Sequence, residues 1–343
     1  MLRTIELQHA LFQGAVSLEP VEGGIKPWRI PYKDYVLYPP NGINKTSEIS
    51  AGVRLRFATD SAVIRIELAP VPAAVELDLV IDGTIIQTCK LAQGDSLAVF
   101  EGLPGQDKVV EVYVPQKTTT IVKAVAIEEG ADFLIPGDTR PKWIAYGSSI
   151  TQCNGAFSPA QTWPAIVARR FGLHLTSLGF SGNCHLEPMV ARLIRDLDAD
   201  IISLCLGINV YGGSSLNSRT FQAAAIGFVQ LIREKHPDKP IAVMSPIWSP
   251  PRETAKNTAG FTLCEMREQI KEAVGFMASL GDDRLHYVDG LTIFDDQLAE
   301  HLPDQLHPNG KGYAIMGENY GTTVMEPLLA RYGLLRGQEA VKP

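Results

Sequence analysis

The sequence predicts an α/β protein in two parts: an all-β sandwich, jelly-roll-like, over residues 1–135, and a parallel-sheet α/β domain over residues 136–343. Three observations carry this expectation. Up to about Gly130, short segments alternate apolar and polar residues with period two, as half-buried strands do. Beyond Lys142, continuous apolar runs alternate with amphipathic helical stretches, the pattern of a parallel sheet covered on both faces. Between them, A-D-F-L-I-P-G-D-T-R-P-K (Ala131 to Lys142) is rich in Pro, Gly and charge and reads as the linker.

In the first part, V-R-L-R-F-A-T and A-V-I-R-I-E-L alternate cleanly. V-E-L-D-L-V-I-D-G-T-I-I-Q-T holds Asp82-Gly83 between two β-rich runs, a strong hairpin signal. V-V-E-V-Y-V and T-T-I-V-K-A-V-A-I follow, rich in β-branched residues. Many short antiparallel strands with turn signals predict a sandwich or jelly roll, and no long helical pattern interrupts them. In the second part, W-I-A-Y, H-L-T-S-L-G-F, I-I-S-L-C-L, I-A-V-M-S-P-I and L-H-Y-V-D are the predicted strands. Helices are expected between them, one running from Thr162 to Gly172 and a last one over about Lys311 to Tyr332.

Composition excludes several functions. The 343 residues carry a net charge of −7 with no Lys/Arg cluster, so a nucleic-acid surface is not expected. No run reaches the roughly 18 apolar residues of a membrane span, and no membrane partner is expected. The N-terminus interrupts its apolar stretch with Glu6 and His9 and does not read as a signal peptide. Five dispersed cysteines, without CxxC spacing, read as buried free thiols of a cytoplasmic protein, and Cys153 and Cys184 lie near enough to the motifs below to touch.

In parallel sheets, ligands bind at the carboxyl ends of the strands. Four polar blocks stand there: G-S-S-I-T from Gly147, G-F-S-G-N from Gly179, G-I-N from Gly207 and D-Q-L-H-P from Asp304. Taken alone each is an ordinary turn, and Gly-x-Asn an ordinary helix C-cap. Together on one edge they fit acyl transfer. A serine hydroxyl needs an adjacent base, which His307 can be, and Asp304 three residues earlier can hold its imidazole. Pro308 biases His307 to extended backbone. The Ser149 N–H, the Gly182 N–H and the Asn209 amide are candidate donors to an oxyanion.

These blocks, in this order, resemble the SGNH subgroup of the GDSL-type esterases and lipases over about Lys142 to Gly333. The resemblance implies a flavodoxin-like three-layer α/β/α domain and a carboxylic ester hydrolase. It makes Ser149 the nucleophile, Asp304 and His307 the rest of the triad, and Ser149, Gly182 and Asn209 the oxyanion hole. One departure stands out: Ser148 occupies the place of the family's aspartate. The β-sandwich before such a domain resembles that of two-domain carbohydrate esterases and of an acyltransferase of antibiotic biosynthesis, in architecture only.

The expected substrate is a small-molecule or carbohydrate acyl ester, acetyl first, with no cofactor. An acyltransferase with the same triad, and a non-catalytic carbohydrate-binding protein, are the alternatives. Tyr211, Trp248 and His185 are candidate substrate contacts. Tyr211 and Trp248 equally read as caps on the core, and His185 as a surface loop residue. Trp163 reads as core. Asp289 ranks below Asp304 because it lacks fixed spacing to a histidine. His301 and His307 lack the further ligands of a zinc site, so no metal is expected.

Overall fold

The computed structural model describes residues 1–38 and 42–335. Its first half is two antiparallel sheets face to face. One runs Ser17–Val21, Gly24–Trp28, Val122–Glu128, Val63–Leu68, Leu97–Glu101, with Leu2–Ile5 also paired to Val122–Glu128. The other runs Phe12–Gln13, Arg54–Thr59, Lys108–Tyr113, Val75–Ile81, Thr84–Leu91. Period-two alternation sends Leu55, Phe57, Ile64, Ile66, Val110 and Val112 into the core between them. The Asp82-Gly83 hairpin forms, with φ of 48° and 75° at its two turn residues, as a type I′ turn requires.

The strands before Trp28, and Leu97–Glu101, were not visible in the sequence pattern. They are two to five residues long, and Pro20 and Pro27 break the strand signal inside two of them. The segment read as a linker is fastened down at several points. Leu134 bridges Ala58, Phe133 and Ile135 pack on the sandwich core, and Asp138 accepts from Arg140 and from His174 Nδ1 at 2.9 Å.

The second half holds a five-stranded parallel sheet, with strands numbered here within that half: β1 Lys142–Gly147, β2 His174–Gly179, β3 Ile201–Cys205, β4 Ile241–Met244 and β5 Leu285–Val288. Their order is 2-1-3-4-5, the flavodoxin-like arrangement. Helices Trp163–Phe171, Pro188–Asp196, Ser218–Arg233, Leu263–Ser279 and Gly310–Tyr320 connect and cover the strands. Their ends follow capping chemistry: Thr162 accepts from Ala165 N to start the first, and Gly172, at φ 60°, stops it. The three central strands, buried on both faces, read as nearly unbroken apolar runs, while the edge strands β2 and β5 mix in His, Thr, Ser and Tyr. The last helix continues past Tyr320 through a π turn, Gly321–Met325, into Glu326–Arg331.

Strand β2 is an edge, and an edge strand exposes unpaired backbone groups. The sandwich half covers it. Gly52 lies so near Ser177 that a Cβ would stand 2.7 Å from the serine Cβ, so only glycine fits. Across the same seam Asp78 accepts from Ala160 N at 2.7 Å, and Arg169 donates to the Gly83 carbonyl at 2.7 Å. All five cysteines are free, but they are not all buried. Cys153 and Cys184 are, Cys89 and Cys205 are half-buried, and Cys264 is exposed. Among the described residues no helix is long and apolar enough to cross a membrane.

Candidate active site

Strand β1 ends at Gly147, pressed so closely on the Thr151 hydroxyl that a side chain there would overlap it. The chain then turns into a four-residue helix, Ser149–Gln152. Ser148 is its N-cap: buried, with extended backbone, its Oγ accepts from Ile150 N at 3.2 Å. Ser149 is the first helical residue. Its N–H has no helical partner by position, and its Oγ is left free to point along the carboxyl edge of the sheet.

That hydroxyl lies 2.8 Å from His307 Nε2, and His307 Nδ1 lies 2.6 Å from Asp304 Oδ2. The carboxylate can only accept, so Nδ1 carries the proton and Nε2 accepts from Ser149. Asp304 Oδ1 also takes the backbone N–H groups of Leu306, at 3.0 Å, and His307, at 2.6 Å. Partial burial alone would raise the Asp304 pKa. The His307 N–H, the His307 ring and the Leu306 N–H outweigh it and hold the carboxyl below its usual range. A hydroxyl bonded to an imidazole that is itself fixed by an ionised carboxylate is the geometry general-base catalysis needs.

The Asp304–His307 turn is strained and clasped. Gln305 sits at φ 61°, a left-handed conformation uncommon for a residue with a side chain. Its carbonyl accepts from Ser249 Oγ at 2.7 Å and from Arg252 at 3.1 Å. The loop after β4 therefore contributes Ser249 and Arg252 to holding the turn, neither of which sequence reasoning had marked.

After β2, Phe180-Ser181-Gly182-Asn183 forms a turn closed by Asn183 N donating to the Phe180 carbonyl at 3.0 Å. Gly182 has φ 71°. Among the described residues neither the Ser149 nor the Gly182 N–H donates to a protein acceptor. The turn is tied to the serine helix by Gln152, fully buried, whose Oε1 accepts from Ser181 N at 3.0 Å. A Cβ on Gly179 would collide with the backbone of Thr151 and Gln152, so the two blocks touch directly. Gln152 follows the G-S-S-I-T block by one residue, and only this contact reveals it.

After β3, Gly207 at φ 110° starts a short helix, Ile208–Gly213. The Gly-x-Asn block is thus a helix start, not the C-cap it resembles in isolation. Asn209 donates one amide hydrogen to the Asn183 carbonyl, which leaves the other available beside Gly182.

Ser149, Gly182, Asn209 and His307 line one cavity of about 610 Å³, with Asn154, Gly155, Ser181, Leu306 and Tyr313 as further walls. Tyr211, Trp248 and His185 do not line it. Tyr211 donates to the Ala255 carbonyl at 3.0 Å and packs on the core. Trp248 is half-buried against the same core. His185 lies 3.2 Å from the Gly182 carbonyl through Nε2, which must donate, while Nδ1 lies 2.7 Å from Ser215 Oγ. It braces the Gly182 turn from outside. Trp163 is core, as read. Asp289 caps the turn Gly290–Thr292, away from the cavity. Among the described residues no cluster of three His, Cys, Asp or Glu side chains could hold a metal.

Residues 141–325, more than half the chain, match the model of the GDSL-like lipase/acylhydrolase family. Residues 10–123 match that of the SsfX3 N-terminal domain. Among solved structures, the salicylyl-acyltransferase SsfX3 from a tetracycline biosynthetic pathway is 34% identical, with a TM-score of 0.88 over 98% of this chain and 99% of that one. A protein described as a GDSL-like lipase from Bacteroides ovatus is 24% identical, with a TM-score of 0.77 over 98% of this chain and 99% of that one. A family two carbohydrate esterase from Clostridium thermocellum is 15% identical, with a TM-score of 0.63 over 90% of this chain and 98% of that one, a likeness of fold. No curated protein sequence matches. With its serine, glycine, asparagine and histidine blocks on one sheet edge, and a family match over more than half its length, the chain belongs to the GDSL-like lipase/acylhydrolase family.

Proposed function

We propose that the protein is a serine esterase that hydrolyses small acyl esters through an acyl-enzyme on Ser149. The observation that carries the reading is the hydrogen-bonded line Ser149–His307–Asp304, at 2.8 and 2.6 Å. His307 takes the Ser149 proton as Oγ attacks the ester carbonyl, then returns it to the departing alcohol. The Ser149 and Gly182 N–H groups and the Asn209 amide stabilise the oxyanion. Water, activated by the same imidazole, releases the acid. An acetyl ester of a carbohydrate is proposed as the substrate on the likeness of fold to family two carbohydrate esterases, and the cavity of about 610 Å³ has room for it.

Acyl transfer to an alcohol is the second reading, favoured by the 34% identity to the salicylyl-acyltransferase over nearly the full length of both chains. It uses the same residues and differs in whether an alcohol outcompetes water at the acyl-enzyme. The division into residues 1–135 and 136–343 belongs to the same proposal; Leu134 still bridges to the sandwich and Lys142 opens the parallel sheet, while 336–343 lie outside the described residues. A cytoplasmic location is supported by five free thiols, of which burial raises those of Cys153 and Cys184 well above the ordinary value. The test is hydrolysis of a chromogenic acetyl ester. Ser149→Ala is expected to lower kcat by at least about a thousandfold. Equal rates for the two proteins would refute the assignment.

A further inference from the structure

Arg29, on the sandwich half, is fully buried, and among the described residues all its hydrogen bonds go to backbone carbonyls and none to a carboxylate. Burying an unpaired charge is costly, so its hydrogen bonds must offset the loss of water. Burial lowers its pKa to about 9, which leaves it charged at neutral pH. Its donors divide between the two halves. Nε donates to the Ile49 carbonyl and Nη2 to that of Thr46, each at 2.6 Å, on its own side. Nη1 crosses the seam to the carbonyls of Ser177, at 3.3 Å, and Gly179. Those carbonyls face outward from the edge strand β2, where no neighbouring strand can take them. The guanidinium also stands 4.9 Å from the centre of the Phe180 ring.

Arg54 does the same one step upstream, donating to the Leu175 carbonyl at 2.9 Å. The two arginines therefore occupy the outward carbonyls at 175, 177 and 179. They differ in what lies beyond. Gly179 and Phe180 lead straight into the Gly182 turn, and Leu175 does not. Gln152 holds that turn from the serine side and Arg29 from the opposite side.

We infer that Arg29 is a positioning residue for acyl transfer: the sandwich half, through it, fixes the β2 terminus and so aims the Gly182 N–H at the oxyanion formed on Ser149. This rests on the esterase reading above and gives the sandwich half a part in catalysis apart from any substrate binding. A donor displaced by a fraction of an ångström still permits substrate binding but stabilises the transition state less.

The experiment uses the full chain with a chromogenic acetyl ester and with a trifluoromethyl ketone, whose adduct with a serine carries the oxyanion. Arg29→Met and Arg29→Lys are compared with Arg54→Met; the lysine variant keeps the charge and most of the stem, so it supplies folded protein should the methionine variant not fold. For the Arg29 variants kcat falls tenfold to a hundredfold, KM stays within threefold, and the ketone inhibition constant rises by about the factor lost in kcat. Arg54→Met lowers the melting temperature and moves neither kcat nor the inhibition constant by more than threefold. Folded Arg29 variants with an unchanged ketone inhibition constant, or with losses matched by Arg54→Met, overturn the inference. Wild-type activity retained by Ser149→Ala would instead overturn the esterase reading beneath it.

Discussion

Ser148 and Ser149 are adjacent at the end of β1 and meet different partners. Ser148 turns back to cap the four-residue helix, while Ser149 faces His307. A serine N-cap contributes about 1 kcal/mol, so Ser148→Ala is expected to lower stability by about that amount and kcat by less than tenfold. Ser148→Asp, which can cap equally well, should restore the stability. Urea unfolding and steady-state rates read both; a Ser148→Ala protein as inactive as Ser149→Ala would mean the nucleophile has been assigned to the wrong serine. In the proposed triad the members act as a unit but unequally. Asp304→Ala should therefore cost less in kcat than His307→Ala, since the Asp304 carboxylate is half exposed and its site stays open to water.

At the scale of elements, the first three blocks were legible because each directly follows a strand of the parallel sheet, which delivers those positions to one edge; the fourth, from Asp304, lies past β5 and the turns Gly290–Thr292 and Asp296–His301 and was legible by its Asp-x-x-His spacing. The residues that hold the blocks were not legible. Gln152 reaches Ser181, Ser249 reaches Gln305, and Arg29 reaches Gly179 across 150 positions, and such contacts leave no periodic trace. The same limit left the aromatic loop residues open between pocket wall and core cap. Tyr211 and Trp248 follow their strands, as the site residues do, but their rings pack on the core and away from the cavity. The clasp between the first two blocks can be tested directly. Gln152→Ala frees the Ser181 N–H and should lower kcat by about tenfold or more with little change in KM, because the donor turn and not the substrate pocket loses its support. A KM effect without a kcat effect would mean that Gln152 serves binding instead.

At the scale of the whole molecule, folding shifts two histidines, His174 at the seam between the sandwich and the parallel sheet and His286 on β5 at the other edge of that sheet. Burial lowers the pKa of His174 although its bond to Asp138 works the other way; His286 is lowered as well, by burial and by Arg331. A histidine whose folded pKa lies below its unfolded value, about 6.5, binds its proton more readily in the unfolded chain. Stability is therefore greatest above that pH and falls as pH drops through it. The urea midpoint should decline from pH 7 to pH 5, and His174→Gln should flatten the decline; a midpoint that stays level or rises on acidification would contradict this. The sandwich class and its core were legible from period-two alternation. The docking of that half onto the β2 edge was not, because it depends on two arginines and on the closeness of Gly52 to Ser177, which no local pattern announces.

An acyl-enzyme mechanism requires Ser149 to carry the acyl group during turnover. It is tested most directly by mixing the protein with an acetyl ester, quenching in acid within the first turnovers and mapping the adduct by peptide mass spectrometry. One acetyl group is expected on the peptide containing Ser149, absent from Ser149→Ala and lost on incubation at neutral pH, faster when an alcohol acceptor is added if transfer is the natural reaction. Turnover of the ester with no acetyl on that peptide, or an adduct that persists in Ser149→Ala, would contradict it.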